Sequence, residues 1–130
     1  MQAAAVEVGR EQSTRLGEDA TAPDGIEVLL AQSRDPDPRA RKRAVRQLCP
    51  CGLKRNHHDV WDRLVAMAAD EDPSVRRDVL HVLCDGSPRE REAEVVRAIE
   101  GMHDDPDPHL RRRVRKVLAQ YRKGGRINVL

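Results

Sequence analysis

The sequence predicts an all-α solenoid of three stacked helical hairpins with a period of 35 residues. Three observations predict it. The stretch from Asp35 to Cys49 aligns without gaps on Asp70 to Cys84, and again on Asp105 to Ala119. Each of these stretches carries Asp-Pro as its third and fourth residues, at Asp37-Pro38, Asp72-Pro73 and Asp107-Pro108. That pair places a capping carboxylate before a proline whose missing N–H is not needed in a first helical turn. Finally, apolar residues recur in the same columns of every unit at helical spacing.

In chain order, residues 1–22 mix Ala, Glu, Gly, Gln, Ser and Thr without sustained periodicity, so disorder or a frayed helix is expected there. The repeat domain spans 23–123, with units at about 24–49, 58–84 and 88–122. First helices are expected over 24–33, 58–68 and 88–103, and second helices over 38–49, 73–84 and 108–122. Ser87-Pro88-Arg89-Glu90 has capping-box spacing and follows the breaker Gly86, which sets the start of the third first helix. First helices share the columns Ile26/Trp61/Val96 and Leu29/Leu64/Ile99. Second helices share Ala40/Val75/Leu110, Ala44/Val79/Val114, Gln47/Val82/Val117 and Leu48/Leu83/Leu118. One unit cannot bury its own stripe, so about three must stack before the array is stable. The Val45/Leu80/Arg115 column turns charged only in the last unit, as expected of a repeat that faces water. In the tail, 124–130, Gly124-Gly125 forms a hinge before apolar residues. These either cover the end of the last repeat, the preferred reading, or offer a short peptide to a partner.

Composition excludes several classes. The longest apolar run is the six residues Leu64 to Ala69, far short of the ~18 of a membrane span. No basic N-terminal region precedes an apolar core, and the three cysteines cannot all pair within the chain, so a cytoplasmic protein is expected.

The pattern Asp-x-Asp-Pro-x-(Val/Leu)-Arg, followed by spaced Val and Leu, resembles HEAT-like repeats, including the short type related to phycobilisome lyases, over residues 24–122. The aromatic and glycine landmarks of tetratricopeptide repeats and the ankyrin Thr-Pro-Leu-His are absent. The resemblance implies a right-handed α-α solenoid whose second helices line the concave side. It also implies an inter-repeat ladder between Arg41, Arg76 and Arg111 and Asp35, Asp70 and Asp105, which makes those residues structural. Relatives include scaffolds, adaptors, a chromophore-lyase branch and DNA-repair proteins.

Charge gives the candidate site. Lys and Arg total 24 against 22 Asp and Glu, but the near-balance hides segregation. Acidic residues concentrate in turns, where helix dipoles favour them, and in first helices. One face of the second helices carries Arg39, Lys42 and Arg46, then Ser74, Arg77 and His81, then His109, Arg112 and Lys116, flanked by Arg43 and Arg113. If the stack is regular, these side chains form a continuous basic groove. The partner expected is an acidic protein segment, met bidentately by repeated arginines. The alternative is sequence-nonspecific nucleic-acid binding. Against it, Phe is absent, and with Trp61 in a core column only Tyr121 is left to stack on a base.

Cys49-Pro50-Cys51 with His57-His58, and Cys84 or His81 nearby, raises a zinc reading, but the C-x-C spacing fits structural zinc poorly. Cys49 and Cys84 share a column with Ala119, which reads as a small packing position, so no metal and no cofactor is expected. No nucleophile with a base, paired-carboxylate cleft or phosphate loop stands out, and a non-catalytic adaptor or scaffold is expected.

Overall fold

A computed structural model describes residues 23–49, 57–85 and 87–127. The expectations for 1–22, Cys51, Gly86 and the last three residues lie outside them. The described elements are helices α1 (Pro23–Gln32), α2 (Pro38–Gln47), α3 (His58–Ala66), α4 (Pro73–Cys84), α5 (Glu92–Glu100) and α6 (Pro108–Gly124). A 3₁₀ turn, Met67–Ala69, extends α3, and another, Arg89–Arg91, precedes α5.

Each second helix starts where the Asp-Pro pairs predict, because the aspartate takes up backbone donors that the first turn cannot pair. Asp37 accepts from the Arg39 N–H at 3.0 Å. Asp72 accepts from the Ser74 N–H at 2.8 Å and the Val75 N–H at 3.3 Å, and Asp107 from the Leu110 N–H at 3.3 Å. Pro38, Pro73 and Pro108 occupy the first helical position.

Helices α1, α3 and α5 form one layer and α2, α4 and α6 the other, with α4 packed on both α2 and α6. The core lies between the layers. Trp61, Leu64, Val79, Leu83, Ile99 and Val114 are all buried there, and so is Val60, whose column the periodicity did not single out. Gln47 departs from its apolar column and stays exposed. Arg115, where units one and two bury Val45 and Leu80, is exposed and folds onto His103 O at 3.2 Å and Asp104 Oδ1 at 3.0 Å.

Two local expectations need correction. The third first helix does not begin at Pro88, whose φ −66° and ψ 146° are extended; the chain makes a 3₁₀ turn, and α5 starts at Glu92. It also ends at Glu100 instead of 103, passing into a turn. In the tail, Gly125 takes the left-handed conformation, φ 68°, that closes α6 through its N–H to Tyr121 O at 2.7 Å. The chain then reverses. Ile127 is buried in the core, and its N–H reaches Glu92 Oε1 at 3.2 Å, so the described part of the tail covers the end of the last repeat.

Candidate protein-interaction face

Two adjacent columns of cations run along the second helices. The first is Arg41, Arg76 and Arg111. Arg41 donates from Nε to Asp70 Oδ2 at 2.9 Å and from Nη2 to Asp70 Oδ1 at 3.1 Å, while Nη1 turns back to Asp35 O at 2.9 Å. Arg76 repeats the arrangement on Asp105, at 2.8 Å and 2.9 Å, with Nη1 on Asp70 O at 2.7 Å. These are two-pronged, charge-assisted pairs between successive repeats. Each receiving aspartate is also braced by the N–H two residues on, Asp72 to Asp70 and Asp107 to Asp105, both at 2.9 Å.

The electrostatics follow from this geometry. Bonding to Asp70 raises the Arg41 guanidinium above its ordinary value despite burial. Burial alone would raise the Asp105 carboxyl. Hydrogen bonds from Arg76 and the Asp107 N–H, with the charges of Arg76 and Arg111, outweigh burial and hold it below the usual carboxylate range.

The second set of cations occupies neighbouring positions on the same helices and faces solvent. Arg39, Arg43, Arg46, Arg77, His81, His109, Arg112, Arg113 and Lys116 are exposed, and Lys42 is partly so. The expected unbroken basic run is interrupted in the middle repeat. Asp78, an acid on a second helix, occupies the column of Arg43 and Arg113 and takes the Arg46 Nε at 2.8 Å. Arg77 is drawn toward the capping carboxylate of Asp107, at 3.6 Å. Of the Lys and Arg side chains just named on this face, six meet no carboxylate among the described residues: Arg39, Lys42 and Arg43 on α2, and Arg112, Arg113 and Lys116 on α6. The face is therefore two basic clusters flanking a neutralised centre. Two helix spacings separate them, roughly 16 to 20 Å. Arg112 also lies 3.0 Å from His109 Nδ1.

The other layer is stitched by contacts that the repeat columns did not announce. Arg63 donates to Ser33 Oγ and Ser33 O, both at 2.9 Å. Arg91 reaches Asp62 Oδ1 at 2.8 Å and His58 Nδ1 at 3.0 Å. Asp78 could have been found in the sequence by asking which acid shares a column with two arginines.

The Cys/His set is not assembled into a site among the described residues, where no group of three His, Cys, Asp or Glu is placed to hold a metal ion. Cys49 Sγ lies 3.8 Å from Asp85 Oδ2. Cys84 is buried and its thiol is pushed up to about 11, chiefly by burial. His58 belongs to the Arg91 contact, and His57 precedes α3 with Nε2 buried and, among the described residues, unbonded. A recess of about 400 Å³ between α3 and α5 is lined largely by Val65, Ala68, Ala69 and Ala98. No described helix is long and apolar enough to cross a membrane.

No curated protein and no solved structure matches the chain significantly. A family model of HEAT repeats matches residues 26–119, from the first column residue of α1 to the end of the third aligned stretch. With its helical pairs in two layers, the chain belongs to the HEAT-repeat family.

Proposed function

We propose that this chain is a non-catalytic cytoplasmic adaptor that docks an acidic protein segment on the exposed face of its second helices. HEAT repeats serve in general as protein-interaction scaffolds and are typically non-catalytic. The observation that carries the finer reading is the pair of unneutralised clusters, Arg39/Lys42/Arg43 and Arg112/Arg113/Lys116. Like charges four residues apart on a helix, as at Arg39 and Arg43 or Arg112 and Lys116, repel one another. A surface serving only solubility interleaves both signs and relieves that repulsion. An anionic partner relieves it on binding, and two clusters favour one with two acidic stretches in matching register.

Nucleic acid is the competing occupant, since phosphates would be neutralised by the same side chains. Trp61 is buried and Tyr121 half-buried, which leaves little aromatic surface for stacked bases. The test is a salt titration with a fluorescein-labelled Asp/Glu-rich peptide, a duplex and a single-stranded oligonucleotide. The adaptor reading expects peptide binding that Lys42→Glu with Arg112→Glu abolishes. Steeply salt-dependent oligonucleotide binding without peptide binding would replace it with the nucleic-acid reading.

A further inference from the structure

The Asp–Arg ladder has two closed rungs and one open end. Arg41 and Arg76 each anchor Nη1 on the carbonyl of the aspartate six residues earlier and use Nε and Nη2 on a carboxylate of the next repeat. Arg111 makes the same anchoring contact, Nη1 to Asp105 O at 2.9 Å. Among the described residues nothing accepts from its Nε or Nη2. Neighbouring acids are engaged elsewhere. Asp105 is taken by Arg76 and the Asp107 N–H, Asp104 by Arg115, and Asp107 caps α6. A half-buried arginine is thus fixed through one nitrogen, while Nε and Nη2, the pair that grips the next repeat's carboxylate at Arg41 and Arg76, have no acceptor among the described residues.

We propose that Arg111 is a carboxylate receptor at the end of the stack, filled by an aspartate that heads a turn of the partner protein. This rests on the reading of the chain as a docking protein for acidic segments, and adds a register-setting contact outside the exposed face. The closed rungs specify the occupant. Both hold an aspartate braced by the N–H two residues on. That brace suits the short side chain of aspartate, one carbon less than glutamate, so the receptor prefers Asp over Glu. Asp35 of a second copy has the same brace, from the Asp37 N–H at 2.8 Å. It is the weaker candidate, because residues 35–69 carry 8 basic against 4 acidic side chains and residues 105–130 carry 8 against 2, so the two ends repel.

The experiment uses the full chain and a synthetic peptide of residues 69–80, which contains the Asp70 turn that closes on Arg41, with Asp70→Asn and Asp70→Glu peptides as controls. Binding is followed by the arginine Nε–Hε signals in nitrogen-15 NMR spectra. The receptor predicts that the Asp peptide moves the Arg111 signal and binds about tenfold more tightly than the Asn peptide. It also predicts weaker binding of the Glu peptide, and loss of discrimination in Arg111→Lys, whose spectrum reports its fold. An unmoved Arg111 signal, or equal affinity for Asp and Asn peptides, overturns the proposal. Self-association abolished by Asp35→Asn overturns the partner assignment in favour of a second copy. Arg39→Glu with Lys42→Glu separates this site from the exposed face: the Arg111 response must survive in it while binding of the Asp/Glu-rich peptide is lost.

Discussion

Arg76 and Arg77 are neighbours on α4 and meet opposite fates. Arg76 is buried and donates through two nitrogens to Asp105. Arg77 is exposed, bonds Pro73 O at 3.4 Å and lies 3.6 Å from Asp107. A turn of 100° about the helix axis separates a cation that ties two repeats together from one that faces solvent. The same division holds between Arg41 and Lys42, whereas at the open end Arg111 keeps, among the described residues, only its anchor on Asp105 O. Count of charge says little in such a chain. What matters is which cations have carboxylates assigned to them by the stack, and which are left over.

The largest expected effect breaks that comparison directly. Arg76→Ala leaves Asp105 buried without its partner and should cost about 3 to 5 kcal/mol, whereas Arg77→Ala should change stability by less than about 1 kcal/mol. Equilibrium urea unfolding of the two variants measures the difference, and equal losses would erase it. Next in size is the cap: Asp72→Ala removes the acceptor for the Ser74 and Val75 N–H groups and should cost about 1 to 2 kcal/mol, read by the same unfolding curves.

The ladder also has a pH signature. Asp105 titrates lower in the folded chain than the ~3.9 of an unfolded aspartate. Its contribution is therefore present above about pH 4 and is lost as pH falls through the lower, folded value. Asp105→Asn should be less stable near neutrality and flatter in acid than the parent, as followed by circular dichroism from pH 6 to pH 2. A parallel loss of stability in both proteins would place the acid sensitivity elsewhere. Smallest in stability is charge reversal on the exposed face. Lys42→Glu with Arg112→Glu should shift unfolding by no more than about 0.5 kcal/mol, since neither side chain supports the core.

Much of the fold was legible in the sequence because its determinants are local or periodic. Asp-Pro caps act within one turn, and a 35-residue period lines up columns that must share an environment. The bridging of Arg41 to Asp70 followed from the family pattern, which fixes the offset between repeats. Departures arose where tertiary contact outweighed a local signal. Ser87-Pro88 has the spacing of a cap, yet extended Pro88 delays the helix to Glu92, and Arg91 in the resulting turn crosses to Asp62 and His58. The interruption of the basic face was hidden for a related reason. Asp78 meets Arg46 across 32 residues, a separation set by the stagger of α4 against α2 and not by the repeat itself.

The central claim is that the left-over cations of the exposed face, not the closed rungs of the ladder, capture the partner. The direct measurement is capture from a nuclease-treated extract of the source cells by the wild-type chain and by a Lys42→Glu, Arg43→Glu, Arg112→Glu, Lys116→Glu variant with a matching circular dichroism spectrum. Retention of an acidic protein by the wild type and its loss from the variant is the predicted result; equal retention by both, or retention abolished by the nuclease, would contradict it.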